Sequence, residues 1–348
     1  MKTVYVGISG GVDSALSAAI LKEQGYNVIG AFIKIWQPEF TECTWRDDRL
    51  DALRICASLQ IPFREIDLSE EYKREVIADM IDNYTKGITP NPDVLCNREI
   101  KFGSFARWAF GNGADFVATG HYAQVKNIHS QYQLVRGVDT DKDQSYFLWQ
   151  LDQKDLARTL FPVGGMTKKQ VRQEAERRSL PVARKHDSQG LCFVGNITLP
   201  EFLSHYIPLK KGSVLNERGE HIGEHDGAPL YTVGQRHGFT HNQGVPQYIS
   251  RVDVERNIIT VSESIADAHV RSVLISTPHW IGPTPKLPFS RSVQVRYREK
   301  PFTSSLSLNN DTLVVSFSES RIASKGQSLV IYDGDTVLGG GIISDVLK

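Results

Sequence analysis

The segment at residues 7 to 14 constrains the fold more than any other part of the chain. It reads Gly-Ile-Ser-Gly-Gly-Val-Asp-Ser and follows the apolar run from Val4 to Ile8. Apolar residues with helical spacing continue after it, at Val12, Ala15, Leu16, Ala19 and Ile20. This order predicts a strand, a glycine-rich turn and a helix. Adjacent glycines let backbone N–H groups face an anion, and a helix N-terminus adds its positive dipole end, so we expect phosphate to bind here.

Two common phosphate-binding motifs differ from this loop. A Walker loop ends in Gly-Lys-Ser/Thr, yet no lysine follows Gly11, and the glycine spacing of dinucleotide-binding loops is also missing. An ordinary glycine turn between a strand and a helix remains the alternative for a bare Gly-Gly pair. The full string at residues 9 to 14, in its strand-loop-helix context, favours a phosphate loop of another class.

The first half of the chain alternates strand and helix patterns. Strands are predicted at residues 28–35, 63–68 and 116–119, and helices at 47–59, 70–86, 100–111 and 166–179. This alternation indicates an α/β fold with a doubly wound parallel sheet, in which ligands bind at the carboxyl ends of the strands. The glycine loop follows the first strand and therefore lies at such an end.

Strand patterns dominate the second half, from Gly212 onward. Short strands are predicted at 230–233, 247–252 and 258–261, and steadier alternation follows at 273–276, 292–297, 312–317, 328–332 and 337–343. Five or six such strands indicate a small barrel or sandwich. We therefore predict an α/β domain at 1–195, a small, mostly β central domain at 196–265 and a C-terminal β-barrel domain at 266–348.

Charge and hydropathy exclude several classes of protein. The chain has 348 residues, with 40 Lys and Arg against 40 Asp and Glu, and a net charge of +0. This balance argues against a broad basic coat, so any nucleic-acid partner must be contacted by local patches. No apolar stretch reaches the length that spans a bilayer, and the N-terminus lacks the pattern of a signal peptide. We expect a cytoplasmic protein that does not contact membranes.

One cysteine lies in the segment from Thr89 to Phe102, which is dense in chemically active residues. Two prolines bracket Asn91, and a helix is predicted to begin near Asp93, which places Cys96 in or near its first turn. A helix N-terminus and neighbouring basic side chains lower a thiol pKa and favour the nucleophilic thiolate. A buried structural cysteine behind a capped turn remains an equal alternative on these local features.

The other three cysteines occupy different settings. Cys192 lies between glycines in the polar loop from Asp187 to Gly195, a setting typical of reactive groups. Cys56 shares a predicted helical face with apolar residues and is interpreted as structural. Cys43 lies in a polar loop and is expected to be exposed and idle. Four scattered cysteines are too few for a disulfide scaffold or a Cys-x-x-Cys zinc site, and we predict no dedicated metal site.

Several motifs together support a family. Besides residues 7–14, they are Asn-Pro-Asp at 91–93 with Cys96, Ala-Thr-Gly-His-Tyr at 118–122, Lys-Asp-Gln-Ser-Tyr-Phe-Leu at 142–148, Gly-Leu-Cys-Phe-Val-Gly at 190–195, Val-Gly-Gln-Arg at 233–236, Val-Arg-Tyr-Arg at 295–298 and Leu-Gly-Gly-Gly-Ile-Ile at 338–343. In this order they resemble, from end to end, the tRNA-specific 2-thiouridylases. These are PP-loop ATP pyrophosphatases that install sulfur at C2 of the wobble uridine of tRNA.

The resemblance implies a role for each motif. ATP would contact Gly7, Ile8, Ser9, Gly10, Gly11, Val12, Asp13, Ser14, Ile33 and Gly120. The target base would meet Asn91, Pro92 and Asp93, and tRNA would also contact His121, Lys142, Asp143, Gln144, Arg296, Tyr297 and Gln327. The catalytic residues would be Cys96, Cys192 and Asp93. The resemblance further implies a PP-loop, Rossmann-like first domain, Mg²⁺ with the ATP, and a persulfide donor such as a cysteine desulfurase or a sulfur-relay protein.

The implied reaction uses ATP first and the two cysteines afterwards. ATP would adenylate the uracil C2 oxygen, a persulfide on Cys192 would deliver sulfur, and Cys96 would close a disulfide with Cys192 that cellular reductants reopen. Asp93 is the nearest proton-transfer group. Three alternatives remain: another PP-loop adenylating ligase or amidotransferase-type enzyme, a noncatalytic tRNA-binding sulfur carrier, and an iron-sulfur cluster held by Asp93, Cys96 and Cys192.

Three further interpretations also stay open. His121 either caps a strand end or contacts tRNA. The basic run from Lys168 to Lys185 either follows tRNA phosphates or is a solvated helix face. Arg296 and Tyr297 are adjacent in a strand pattern, so we expect their side chains to face opposite ways.

Overall fold

The computed structural model describes residues 1–41, 45–186 and 197–348. The first part of the chain contributes seven strands: β1 (Thr3–Gly7), β2 (Asn27–Lys34), β3 (Phe63–Asp67), β4 (Phe116–Ala118), β5 (Ala123–Ile128), β6 (Gln131–Arg136) and β7 (Thr159–Leu160). Five of them form one sheet in the order β3-β2-β1-β4-β7, and all four pairings are parallel. This confirms the doubly wound α/β fold.

Helices cover both faces of this sheet. Their bounds are α1 (Val12–Glu23), α2 (Trp45–Ser58), α3 (Ser69–Tyr72), α4 (Ala78–Thr85), α5 (Pro92–Leu95), α6 (Ala106–Gly111), α7 (Gln153–Ala157), α8 (Lys168–Arg177) and α9 (Leu199–Ser204). A π-helical segment, Lys73–Ile77, joins α3 to α4, and a second, Cys96–Phe105, joins α5 to α6. The helix predicted at 100–111 thus begins earlier, at Pro92.

The core lies on both sides of β1. Val4 and Val6 are fully buried in a cluster with apolar residues of α1, whereas Tyr5 packs into a second cluster with the helices on the opposite face. Side chains alternate across a strand, so a strand that is buried on both faces is apolar throughout. The chain continues from β1 to β2 on one side, whereas β4 pairs with β1 on the other. The carboxyl ends of β1 and β4 therefore form the switch point at which such sheets bind ligands.

The middle of the chain forms a separate four-stranded sheet. It contains β8 (Gly212–Leu215), β9 (His221–His225), β10 (Tyr248–Asp253) and β11 (Ile258–Ser262), in the order β10-β11-β8-β9. The strand predicted at 230–233 is wrong, because Ala228–Leu230 form a 3₁₀ turn. Gly227 and Gly234 flank this region with φ angles of 137° and 86°, a backbone that a regular strand does not contain.

The C-terminal part forms a small antiparallel β-barrel. Its strands are β12 (Val270–Ile275), β13 (His279–Trp280), β14 (Phe289–Gln294), β15 (Phe302–Asn309), β16 (Thr312–Arg321), β17 (Ser328–Asp333), β18 (Thr336–Ile342) and β19 (Asp345–Leu347). Pairing runs β12-β16-β15-β14-β17-β18, and β19, which directly follows β18, returns to pair with β12. The predicted small barrel is confirmed, although the sequence patterns missed β13, β15 and β19.

A hairpin from the first half joins this barrel. Strands β5 and β6 pair with each other, and β6 extends β18 through the pairs Thr336–Val135 and Val337–Leu134. The strand patterns did not predict this hairpin. The sheet therefore crosses the predicted boundary at 266, and the three domain limits stay predictions.

Within the described ranges, the helices are too short or too polar to cross a bilayer.

Candidate active site

The glycine loop is shaped by close backbone contacts. Gly10 has a φ of 76°, and a Cβ at this position would lie 2.7 Å from the carbonyl oxygen of Asp48 in α2. Only glycine fits such a combination of positive φ and close approach. Ser14 Oγ donates to the Gly11 carbonyl at 3.0 Å and accepts from the Ser9 N–H at 3.2 Å. The loop is thus held in shape at the N-terminus of α1 by its own residues.

Two neighbouring strands bring further predicted residues to this loop. A Cβ on Gly120 would lie 2.7 Å from the Ser14 backbone nitrogen and 2.8 Å from the Asp13 carbonyl carbon, so a larger residue after β4 would push the loop away. A Cβ on Gly7 would approach Ile33 Cδ1, at the end of β2, to 3.8 Å. The structure therefore brings together the residues predicted to bind ATP, although their nucleotide contacts stay a prediction.

A lysine from α8 contacts the same loop. Lys168 Nζ lies 2.8 Å from both carboxylate oxygens of Asp13, and the Tyr122 hydroxyl donates to Asp13 Oδ1 at 2.7 Å. The side chain of Lys168 is only 13% exposed. The sequence patterns did not single out this contact, because 155 positions separate the two residues.

A buried histidine connects the end of β4 to the helix that carries Cys96. His121 Nδ1 lies 2.7 Å from Thr119 Oγ1, and His121 Nε2 lies 3.3 Å from Lys101 Nζ. An ammonium group can only donate, so Nε2 accepts, and Nδ1 carries the proton and donates to Thr119. Burial, together with the positive charge of Lys101, holds the pKa of His121 well below its ordinary 6.5. His121 is therefore a neutral link inside the protein.

The helix with Cys96 begins at the Asn-Pro pair, one residue before the predicted start near Asp93. Asn91 is the N-cap, Pro92 is the first helical residue, and Cys96 opens the π-helical segment with 9% of its surface exposed. Burial raises the pKa of Asp93, while the charge of Lys101 on the same helical run opposes this rise. A carboxyl group with a raised pKa holds a proton more readily than an ordinary one, which suits a proton-transfer group.

The barrel and the central sheet meet just before this helix. Gln327 Nε2 donates to the carbonyls of Thr89 and Pro90 at 2.9 and 3.2 Å. The hydroxyl of Thr89 also lies 2.9 Å from that of Thr232 in the central part. A cavity of about 340 Å³ lies at this junction, and it is lined by Thr89, Thr232, Val233, Gly234, Gln235, Arg296, Ser324 and Gln327.

Arg296 and Tyr297 lie outside a strand, whereas the sequence pattern placed them within one. Strand β14 ends at Gln294, and both residues lie in the turn that follows, so strand alternation does not orient them. Arg296 Nη2 donates to the Val233 carbonyl at 3.3 Å, and burial lowers the pKa of its guanidinium. The Tyr297 ring packs against Phe147 with centroids 4.5 Å apart. Arg296 faces the cavity, whereas Tyr297 contacts an aromatic neighbour of the core.

Two residues of the motif at 142–144, Asp143 and Gln144, make hydrogen bonds within the protein. The carboxylate of Asp143 is buried and accepts from the backbone N–H groups of Gly137 and Ser145. Gln144 Oε1 accepts from the Tyr122 N–H at 3.0 Å, and the Gln144 N–H donates to the Tyr122 carbonyl at 2.9 Å. Lys142 is half-buried beside them. The motif thereby positions the Gly-His-Tyr segment, and its contact with tRNA stays a prediction.

Most of the basic run near α8 is neutralised within the protein. Besides Lys168 with Asp13, the ion pairs are Arg177 with Glu174, Arg178 with Glu23 and Glu174, Arg184 with Glu176, and Lys185 with Asp48 and Asp51. Paired side chains contribute little net positive field to an approaching phosphate. This favours the interpretation of a solvated, internally paired helix face over a face that follows tRNA phosphates.

The remaining cysteines separate by environment. Cys56 is 1% exposed, and burial raises its thiol pKa to about 11, as expected for the predicted structural cysteine. Cys192 and Cys43 lie outside the described residues. Within residues 1–41, 45–186 and 197–348, the His, Cys, Asp and Glu side chains form no cluster of three that is placed to hold a metal ion.

Comparisons with known proteins cover the whole chain. Three family models match in succession: the tRNA methyl transferase HUP domain over residues 2–196, the tRNA methyl transferase PRC-barrel domain over 200–263, and the Aminomethyltransferase beta-barrel domain over 270–343. Relatives named tRNA-specific 2-thiouridylase MnmA, from Listeria innocua and Halalkalibacterium halodurans, are 42% and 43% identical, and each alignment covers 99% of this chain and 95% of the relative.

Solved structures are much less similar. A U34-tRNA thiolase NcsA from Methanococcus maripaludis with its [4Fe-4S] cluster is 18% identical over 59% of this chain and 63% of that chain, with a TM-score of 0.36.

Proposed function

Because the chain belongs to the family of tRNA-specific 2-thiouridylases, we propose that it replaces the C2 oxygen of the wobble uridine of tRNA with sulfur at the expense of ATP. One observation carries this proposal: the residues at the end of β4 contact both the glycine loop and the helix that carries Asp93 and Cys96. Gly120 packs on the glycine loop, and the next residue, His121, contacts Lys101 on the helix that carries Asp93 and Cys96. A base that is activated at the loop is therefore close to a candidate nucleophile.

The first step activates an oxygen that is a poor leaving group. The C2 oxygen attacks the α-phosphate of ATP, the α–β bond breaks, and pyrophosphate leaves while AMP stays on the base. The glycine loop and the N-terminus of α1 suit the departing pyrophosphate, because backbone N–H groups and the helix dipole stabilise negative charge. Asp93, with its raised pKa, is the proton-transfer group next to the base.

The second step delivers sulfur. The terminal sulfur of a Cys192 persulfide attacks C2 and expels AMP, which leaves the base joined to Cys192 through two sulfurs. The Cys96 thiolate then attacks the Cys192 sulfur, and the sulfur on C2 departs with the bonding electrons. The products are 2-thiouridine and a Cys96–Cys192 disulfide, which a cellular thiol reductant reopens.

The cavity at the junction of the three parts suits a nucleotide next to the target uridine. Its volume of about 340 Å³ accommodates one base, and its wall carries the guanidinium of Arg296 and the amide groups of Gln235 and Gln327. These groups donate and accept hydrogen bonds with base edges and phosphates. Asn91 and Pro92 lie two and three residues beyond Thr89, which lines this wall, and this position suits contact with the target base.

The partners and the compartment follow from the chemistry. The reaction needs a persulfide donor, such as a cysteine desulfurase or a sulfur-relay protein, to recharge Cys192. Mg²⁺ is expected with the ATP phosphates, and we propose a cytoplasmic location, where ATP, tRNA and thiol reductants are available. The iron-sulfur route differs only in how sulfur arrives, with Asp93, Cys96 and Cys192 as ligands, and iron and sulfide analysis after anaerobic purification tests it.

The test is a reconstituted reaction. Purified protein is incubated with ATP·Mg²⁺, a persulfide source and unmodified tRNA, and nucleosides are analysed by mass spectrometry. We expect 2-thiouridine from the wild type, and a loss of about 10²-fold or more from Cys96→Ala and Cys192→Ala, because each removes a group that takes part in a covalent step. The matched control is Cys56→Ala, which removes another buried thiol and is expected to retain activity.

Three outcomes contradict the proposal in different ways. Wild-type protein that binds tRNA but yields no 2-thiouridine is a noncatalytic carrier. Full activity in Cys96→Ala contradicts the cysteine pair. Consumption of ATP to AMP with a small carboxylate or amine acceptor, and not with tRNA, identifies another adenylating ligase.

A further inference from the structure

Asp13 presents an electrostatic problem for the glycine loop. It is the second residue of α1, and its carboxylate lies in the first turn, where the helix dipole favours negative charge. The triphosphate of ATP requires the same positive helix end. The side chain of Asp13 is 30% exposed, so its charge is not hidden from a ligand at the loop. An uncompensated carboxylate at this position repels the phosphates.

Lys168 supplies the compensating charge from a distant part of the chain. Its ammonium group donates to both oxygens of Asp13 at 2.8 Å, and the Lys168 side chain is 13% exposed, so water screens the ammonium group little. The Tyr122 hydroxyl, two residues after Gly120, also donates to Asp13 Oδ1. The three groups form a compact node directly beside the loop.

The position of this ammonium is fixed by its backbone. Lys168 is the first residue of α8, Thr167 and Gln170 form a capping box there, and the Lys168 N–H donates to Asp139 Oδ2 at 2.7 Å. A side chain that leaves such an anchored backbone and ends in a bidentate contact loses little additional conformational entropy when ATP binds.

We propose that Lys168 is a positioning residue for ATP: it neutralises Asp13, so that the glycine loop accepts a triphosphate although it has no lysine of its own. This inference rests on the proposed ATP site at residues 7 to 14. It assigns to α8 the positive charge that a Walker loop carries within its own sequence. The charge acts through Asp13 and not through a contact with phosphate.

The experiment measures ATP binding and not thiolation. Dissociation constants are determined by isothermal titration calorimetry in EDTA, so that magnesium binding does not contribute. We expect Lys168→Gln to raise the Kd for ATP about tenfold, since one unpaired charge near the phosphates has an effect of this order. Lys168→Arg retains the charge and is expected to stay within about threefold of the wild type. The double variant D13N/K168Q removes both charges and is expected to recover to within about threefold.

A matched control separates charge from helix packing. Arg178 also joins α8 to α1, through Glu23 at the far end of α1, with Nη2 at 2.7 Å from Oε2. Arg178→Gln is expected to lower the melting temperature without changing the Kd for ATP. A double variant that binds as weakly as Lys168→Gln, or an unchanged Kd in Lys168→Gln, overturns the proposal. If the wild type binds ATP but makes no 2-thiouridine, the proposed function fails and this inference stands.

Discussion

At the scale of single residues, the site depends on side chains whose environments decide their chemistry. His121 and Asp93 both belong to motifs that the sequence singles out, but their properties arise from burial and from Lys101, which lowers the pKa of both groups. For His121 this effect acts in the same direction as burial, and for Asp93 it opposes burial. Burial and Lys101 together keep His121 neutral, and Lys101 limits the rise of the Asp93 pKa.

The depressed pKa of His121 predicts a pH dependence of stability. Folded His121 stays neutral below pH 6.5, whereas unfolded His121 gains a proton there, so the unfolded state binds more protons as the pH falls. Between pH 7.5 and 5.5 the free energy of unfolding should fall for this group by up to about 1.4 kcal/mol per pH unit. Urea denaturation of wild type and His121→Gln measures this, and we expect a flatter pH profile for the variant. Parallel profiles contradict the prediction.

At the scale of elements, helix ends and π-helical segments determine where the functional groups lie. The segment Cys96–Phe105 adds width to each turn and carries Cys96, Lys101 and Phe102 along one continuous helical run. Such segments are rare and occur often at functional sites. Helix α8 begins at the residue that contacts the glycine loop, so its N-cap determines where that contact lies.

The cap of α8 therefore predicts a linked change in stability and in ATP binding. Thr167 Oγ1 accepts from the Gln170 N–H at 3.3 Å, and Thr167→Ala should destabilise the fold by about 1 kcal/mol. Because the first turn frays, Lys168 is held less firmly, and the Kd for ATP should rise about two- to fivefold. Thr198→Ala is the control, since Thr198 caps α9 with the same 3.3 Å geometry. Equal ATP affinity in both variants contradicts the prediction.

At the scale of the whole molecule, three parts of the chain meet at Thr89. The barrel reaches it through Gln327 and through the Lys325 carbonyl, which accepts from the Thr89 N–H at 3.1 Å. The central part reaches it through Thr232. The Asn-Pro-Asp motif begins two residues later, so the β domains determine where this motif lies relative to the α/β sheet.

The docking of the barrel predicts a specific effect at Gly326. This residue has a φ of 87°, and a Cβ here would lie 2.4 Å from Ile88 Cγ2 and 2.7 Å from the Thr89 carbonyl oxygen. Gly326→Ala should loosen the junction and speed hydrogen exchange across residues 88–96, as measured by mass spectrometry, with a loss of thiolation of about tenfold. Gly334→Ala is the control, because Gly334 also has a positive φ, of 57°, but has no heavy atom within 4 Å of the added Cβ. Equal exchange in the two variants contradicts the prediction.

Local sequence patterns predicted the elements whose conformation depends on residues that are close in the sequence. Backbone sterics and the period of the apolar residues predict the glycine loop, the start of the helix near Pro92 and most strands. Both signals can be read from a short segment of the sequence. The burial of Cys56 belongs to the same class.

The sequence by itself thus determined a phosphate loop between a strand and a helix, the α/β and β parts, and the motifs that identify the family. Only the tertiary structure decided which groups meet: Lys168 with Asp13, Lys101 with His121, Arg296 in a turn beside Val233, and the β5–β6 hairpin on the edge of the barrel. These contacts join residues that are 20 to more than 150 positions apart. Their free energy depends on distance and burial in the folded chain, which no local pattern contains.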